Sequence, residues 1–151
     1  MTNRILVIDD QRDVADSLAR LLQAIGYESR AIYDGTQAEA TALEFLPDVI
    51  FIDIAMPGFD GFQTVAQIRA NRECIHTVLV ALTGHATPEF KSRAYDAGFD
   101  LFVAKPMDVE TLKEVLTVID PSATQISARE WAQRLAAIWN ERKPGDGQVL
   151  L

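Results

Sequence analysis

Apolar residues along this chain come in short unbroken runs, separated by stretches in which they recur every three or four positions. Ile5-Leu6-Val7-Ile8 is the first run, and it ends in Asp9-Asp10. A run without polar alternation is what a strand buried on both faces of a parallel sheet requires. Val14, Leu18, Leu21, Leu22 and Ile25 follow at helical spacing, with Gly26 as a stop. Residues 27–33 predict a short second strand, and residues 36–46 a helix with Ala38, Ala42, Leu43 and Leu46 on one side and Pro47 beyond its end. Val49-Ile50-Phe51-Ile52 is the next strong strand, again with an aspartate, Asp53, at its end. The turn residues Met56-Pro57-Gly58 and Asp60-Gly61 precede a helix marked by Phe62, Val65, Ile68 and Arg69. Val78 to Leu82 predicts a strand ending at Thr83-Gly84, and residues 88–97 a helix stopped by Gly98. Leu101 to Ala104 predicts a strand ending at Lys105-Pro106, and Val109, Leu112, Val115, Leu116 and Ile119 a last helix stopped near Pro121. Five βα units over residues 3–120 predict an α/β, doubly wound parallel sheet with helices on both faces. In such sheets the functional crevice lies outside the carboxyl ends of the strands.

Composition narrows the function classes more than the fold. The chain has 151 residues, enough for one domain and a short appendage. Its 22 acidic and 14 basic residues give a net charge of −8, which argues against non-specific binding to DNA or to anionic membranes. Cys74 is the single cysteine, so no intramolecular disulfide forms, and it reads as an ordinary thiol in a loop or half-buried site. The apolar run after Met1-Thr2-Asn3-Arg4 is too short for a signal-peptide core, and no stretch approaches the ~20 apolar residues of a membrane span. The expectation is a cytoplasmic protein.

The chemistry lies in polar residues where buried strands stop. Asp9-Asp10, Asp53, Thr83 and Lys105 all fall at one edge of the predicted sheet. Each alone has an ordinary reading: an aspartate after a strand is usually a turn former or helix cap, Thr83 a cap, Lys105 a surface residue. Together they are harder to explain that way. Three carboxylates in one crevice repel one another and demand positive charge. Lys105 supplies one unit, and a hard divalent cation such as Mg²⁺, which prefers carboxylate oxygens, supplies the rest. A carboxylate between Mg²⁺ and an ammonium can act as nucleophile toward a phosphoryl group, a reaction that asks mainly for positioning and charge neutralisation. Thr83 offers a hydroxyl to one phosphoryl oxygen and Lys105 a compact charge to another.

These residues resemble the receiver domain of bacterial two-component response regulators, of the single-domain, CheY-like type. The matching pieces are Ile5-Leu6-Val7-Ile8-Asp9-Asp10, Asp53-Ile54-Ala55-Met56-Pro57-Gly58-Phe59-Asp60-Gly61, Ala81-Leu82-Thr83-Gly84 and Lys105-Pro106, over residues 3–119. The resemblance implies a flavodoxin-like sheet of strand order 2-1-3-4-5. It implies Asp53 as phospho-acceptor, Asp10 and Asp53 as Mg²⁺ ligands, Asp9 holding metal-bound water, and the backbone carbonyl of Ala55 as a further ligand. It implies Thr83 and Lys105 on the phosphoryl group and a cis Lys105–Pro106 bond. Phe102 matches the family's switch aromatic, although its place in an apolar run suits core packing equally. Ala55 and His85 stand where the family tunes dephosphorylation. Ala55 has no polar group to position a hydrolytic water, whereas His85 leaves the direction open. The implied function is phosphorelay signalling: a histidine kinase or histidine phosphotransfer protein donates to Asp53, and a surface around the fourth helix, fifth strand and fifth helix changes its binding to a downstream target. A phosphate-independent adaptor of the same fold is the alternative. A turnover enzyme such as a phosphatase would need an acid or base beside the nucleophile, which Ala55 does not provide.

Residues 121–151 read as an extension. Residues 121–127 form a polar-leaning linker, and Trp131, Leu135, Ile138 and Trp139 fall on one face of a predicted helix over 128–142, before Lys143-Pro144-Gly145 breaks it. The segment is too short for a winged-helix output domain and lacks an extended basic recognition helix, so direct DNA binding is not expected. Its aromatic face either packs on its own domain or forms an interface, with a partner or with a second copy as a homodimer through residues 128–142. If it is an interface, deleting residues 123–151 lowers the apparent mass in size-exclusion chromatography or abolishes partner binding. An unchanged soluble monomer with unchanged binding counts against it.

Overall fold

The computed structural model describes residues 4–24, 26–84, 87–105, 107 and 109–119. Strands β1 (Arg4–Ile8), β2 (Glu28–Ile32), β3 (Val49–Asp53), β4 (Val78–Thr83) and β5 (Leu101–Ala104) alternate with helices α1 (Arg12–Ala24), α2 (Ala38–Phe45), α3 (Gly61–Arg69), α4 (Pro88–Ala97) and α5 (Val109–Ile119). The five strands form one parallel sheet in the order β2-β1-β3-β4-β5, as the resemblance implied. The predicted C-terminal helix over 128–142, with its tryptophans, lies outside the described residues, as do Ile25, His85 and Pro106, and with Pro106 the expected cis bond.

The sheet has two buried faces because successive residues of a strand point to opposite sides. Ile5, Val7, Phe51, Val80 and Val103 face one core, filled by Leu18 and Leu22 of α1 and Leu112, Val115 and Ile119 of α5. Leu6, Ile8, Ile50, Ile52 and Leu79 face the other, filled by Ala42 and Phe45 of α2, Val65 and Ile68 of α3 and Ala94 of α4. This two-sided burial explains why the central strands read as continuous apolar runs. Edge strand β2 is only partly buried and correspondingly polar.

Two helices bury different faces from those the spacing predicted. On α1 the buried stripe is Ala15, Leu18, Ala19 and Leu22, and Val14 is exposed. At ~100° per residue Val14 sits about a quarter-turn from the middle of that stripe. On α2 the buried residues are Ala38, Ala42 and Phe45, so Leu43 points outward, and Leu46 is a left-handed C-cap, also exposed. Small alanines let this helix lie close to the sheet, and Phe45 takes the volume expected for the leucines. Cys74 is fully buried, more so than expected, in a 3-10 turn at Arg72–Cys74.

The amino-terminal edge of β4 and β5 is tied by a largely buried guanidinium. Arg69, at the end of α3, donates to the carbonyls of Gly98 (3.0 Å), Cys74 (3.1 Å) and Thr77 (2.5 Å) and pairs with the Asp100 carboxylate. Asp100 in turn accepts the Leu79 amide (2.9 Å). Gly98 closes α4 with φ 122°, and a Cβ there would come within 2.8 Å of Arg69 Cγ, so backbone conformation and close approach both require glycine. Breaking such a pair strands a desolvated charge. Arg69→Ala and Asp100→Ala are each expected to lower stability by ~3–5 kcal/mol in urea unfolding. Glu28→Ala, which removes the exposed Arg4–Glu28 pair, is expected to change stability by ~1 kcal/mol or less.

Candidate functional site

The carboxyl ends of β1, β3 and β4 bring Asp9, Asp53 and Thr83 together, because the register aligns these strands end to end. Asp53 pairs with Leu82, and Thr83 is the next residue on β4. Asp9 follows Ile8, whose partner on β3 is Ile52, the residue before Asp53. All three are buried, whereas Asp10, two residues beyond the end of β1, is exposed. Lys105 follows β5 and is fixed by its amide, which donates to the Thr83 carbonyl (2.8 Å). Its side chain reaches back across the crevice: Nζ donates to Asp9 Oδ2 at 2.7 Å and to Asp53 Oδ2 at 3.0 Å.

The other oxygens of these two carboxylates hold the loops that follow. Asp9 Oδ1 accepts the Gln11 amide (3.0 Å), turning the chain into α1. Asp53 Oδ1 accepts the Ala55 amide (2.9 Å), turning the chain into the loop before α3. That loop places Ala55 at the surface, buries Met56, turns through a left-handed Gly58 and ends at Asp60. Asp60 Oδ1 caps α3 by accepting the amides of Phe62 and Gln63, each at 3.1 Å.

The electrostatics are those of a crowded acidic crevice. Burial pushes the Asp9 carboxyl above its usual range, and the Asp53 charge adds to this, against the opposing hydrogen bonds from Lys105 and Gln11. Burial also pulls the Lys105 ammonium down, but its hydrogen bonds to Asp9 and Asp53 and their charges together outweigh that and hold it high. Lys105 therefore remains protonated at neutral pH, facing more negative charge than it neutralises.

Carboxylate oxygens of Asp9, Asp10 and Asp53 lie within 4.8 Å of one another. A small hard cation with bonds of ~2.1 Å spaces its ligand oxygens ~3–4 Å apart, so slight side-chain rotation brings the set to that size. All-oxygen donors, excess negative charge and an exposed member open to water together fit Mg²⁺.

Phe102 is half-buried beside Phe90 and Tyr95, which the sequence reading did not single out. It packs edge-to-face on Phe90 (5.9 Å) and Tyr95 (5.4 Å), and Phe90 in turn on Phe62 (5.3 Å). Helical spacing alone gave no sign that residues from α3, α4 and β5 would meet.

With this geometry in view, the relatives are informative. The profile of the response regulator receiver domain matches residues 5–117. The chain is 30% identical to protein PilG of Pseudomonas aeruginosa over 125 residues, covering 83% of this chain and 93% of PilG. It is 31% identical over 109 residues to RpaA of Synechocystis, described as a DNA-binding dual master transcriptional regulator, covering 72% of this chain but only 45% of RpaA. Among solved structures, chemotaxis protein CheY4 of Vibrio cholerae superposes with a TM-score of 0.72 at 31% identity, covering 78% of this chain and 98% of CheY4. A LuxR-family two-component response regulator from Aurantimonas superposes at 0.70 with 26% identity, covering 93% of this chain and 100% of its own. The chain belongs to the response regulator receiver domain family of two-component signalling.

The raised Asp9 carboxyl has a thermodynamic sign. In ion-free protein the fold favours protonated Asp9, a contribution present below the ordinary carboxylate range and lost as pH rises through the raised folded-state value. Asp9→Asn is therefore expected to melt at or above the wild-type temperature in EDTA at neutral pH, with the advantage fading on acidification. It is also expected to lose most of the rise in Tm that millimolar Mg²⁺ gives the wild type. Thermal melts at several pH values, with and without Mg²⁺, check both.

Proposed function

We propose that this chain is a response regulator receiver whose Asp53 accepts a phosphoryl group from a histidine kinase or histidine phosphotransfer protein. The single observation that carries the reading is the buried Asp53 carboxylate held between the Ala55 amide and the Lys105 ammonium. An Asp53 oxygen attacks phosphorus, the phosphorus–nitrogen bond of the donor phosphohistidine breaks, and the electron pair leaves with the imidazole. Lys105 neutralises charge on the transferred group, and the Thr83 hydroxyl donates to one of its oxygens. Asp10, Asp53 and the Ala55 carbonyl would hold a Mg²⁺ ion, with Asp9 assisting through water. The ion supplies charge neutralisation to the acceptor and the incoming group.

Once Asp53 is phosphorylated, its contacts with Thr83 and Lys105 favour one of two pre-existing states, and Phe102 reports the change to a surface of α4, β5 and α5 that a target protein reads. Coverage of nearly all of PilG and CheY4 supports reading residues 3–120 as the working receiver. Homodimerisation through residues 128–142 is an alternative role for the segment that follows the receiver. The setting proposed is cytoplasmic. Among the described residues no helix is long and apolar enough to cross a membrane.

Incubation with acetyl phosphate and Mg²⁺ tests the reading by intact-protein mass spectrometry. The expected result is a mass gain of one phosphoryl group, absent in Asp53→Asn and without Mg²⁺. No adduct would favour a phosphate-independent adaptor, and repeated turnover a phosphatase. Because Ala55 presents only a methyl group, the adduct should outlast seconds after the donor is removed; loss within seconds would contradict that.

A further inference from the structure

The loop that carries Ala55 is not held by its ends alone. The Phe59 side chain lies against Gly35, which opens the 3-10 turn Gly35–Gln37 after β2, so two loops that follow non-adjacent strands meet at the carboxyl edge of the sheet. The contact is so close that a Cβ on Gly35 would sit 2.3 Å from Phe59 Cδ1, 2.4 Å from Cε1 and 2.7 Å from Cγ. Gly35 is buried and its φ lies outside the left-handed region, so alanine suits its backbone; the obstacle is the ring. The receiving turn is itself rigid: Asp34 Oδ1 accepts both the amide (2.9 Å) and the hydroxyl (2.7 Å) of Thr36. On its other side the Phe59 ring borders Gly61, where a Cβ would lie 3.3 Å from Phe59 Cε2 and 3.0 Å from Ile54 Cγ2. Phe59 is thus wedged between the β2–α2 turn and the start of α3, four residues after Ala55.

We propose that Phe59 and Gly35 are a positioning pair for the phosphoryl-acceptor site. They hold the β3–α3 loop so that the Ala55 amide fixes the rotation of the Asp53 carboxylate and the Ala55 carbonyl faces the acidic crevice. The inference rests on the function proposed above and extends it to residues that touch neither metal nor phosphoryl group. Residues that orient metal ligands from outside the coordination shell typically change affinity ~10–100-fold when altered, without supplying a ligand themselves.

Isothermal titration of Mg²⁺ into the full chain, paired with thermal melts, tests the pair. Gly35→Ala is expected to raise the Mg²⁺ dissociation constant about tenfold, at the low end of that range, and to speed hydrogen exchange of the Ala55 amide. The double variant Gly35→Ala with Phe59→Leu, which removes ring volume where the methyl is added, is expected to restore affinity to within about threefold of wild type. Should Gly35→Ala not fold, Phe59→Leu alone is expected to weaken Mg²⁺ binding while Asp53, Asp10 and Lys105 stay intact. Unchanged affinity in the single variants, even with a lowered Tm, overturns the inference and leaves the acceptor reading standing. Failure of the double variant to recover overturns it as well. A wild type that binds no Mg²⁺ overturns both.

Discussion

One ammonium group shared by two buried carboxylates sets the terms for the rest of this molecule. Lys105 Nζ bridges Asp9 and Asp53 across three strands, and a buried carboxylate without such a partner would be driven to its neutral form. The bridge keeps charge where the chain needs it. It does so incompletely, because three carboxylates, Asp9, Asp10 and Asp53, share the crevice with one lysine. That residual charge is the physical reason the site suits a divalent cation.

The fold exists to hold that arrangement. Parallel pairing puts all strand carboxyl ends on one edge, and a sheet covered on both sides keeps that edge narrow and partly dry. Each carboxylate spends one oxygen on Lys105 and the other on a following amide, Gln11 or Ala55. The charges of the crevice are thus also the turn formers that launch α1 and the β3–α3 loop. The ordinary reading of Asp9 and Asp53 as turn formers holds, and it does not compete with a role in the crevice.

Much of this was legible in the sequence, because strong signals are local. Unbroken apolar runs ending in Asp9, Asp53, Thr83 and Lys105 placed four strands and the crevice, and motif spacing placed the family. What was not legible depends on contacts between distant segments. The Arg69–Asp100 pair joins α3 to the start of β5, and Arg69 on its own looks like any helix-terminal arginine. The Phe59–Gly35 contact joins two loops, and each residue alone reads as turn material. Val14, Leu43 and Leu46 looked like core because they are apolar and near the right spacing. Which side of a helix faces the sheet is decided by the fit of small residues, and alanines carry little weight in a hydrophobic pattern.

The buried guanidinium at the far end of the sheet has a mechanical consequence. Arg69 and Asp100 clamp the beginnings of β4 and β5 to the ends of α3 and α4, while Thr83 and Phe102 lie further along the same two strands. The clamp ties down the beginnings of both strands, so any rearrangement at Thr83 takes place at the end of the sheet opposite the clamp.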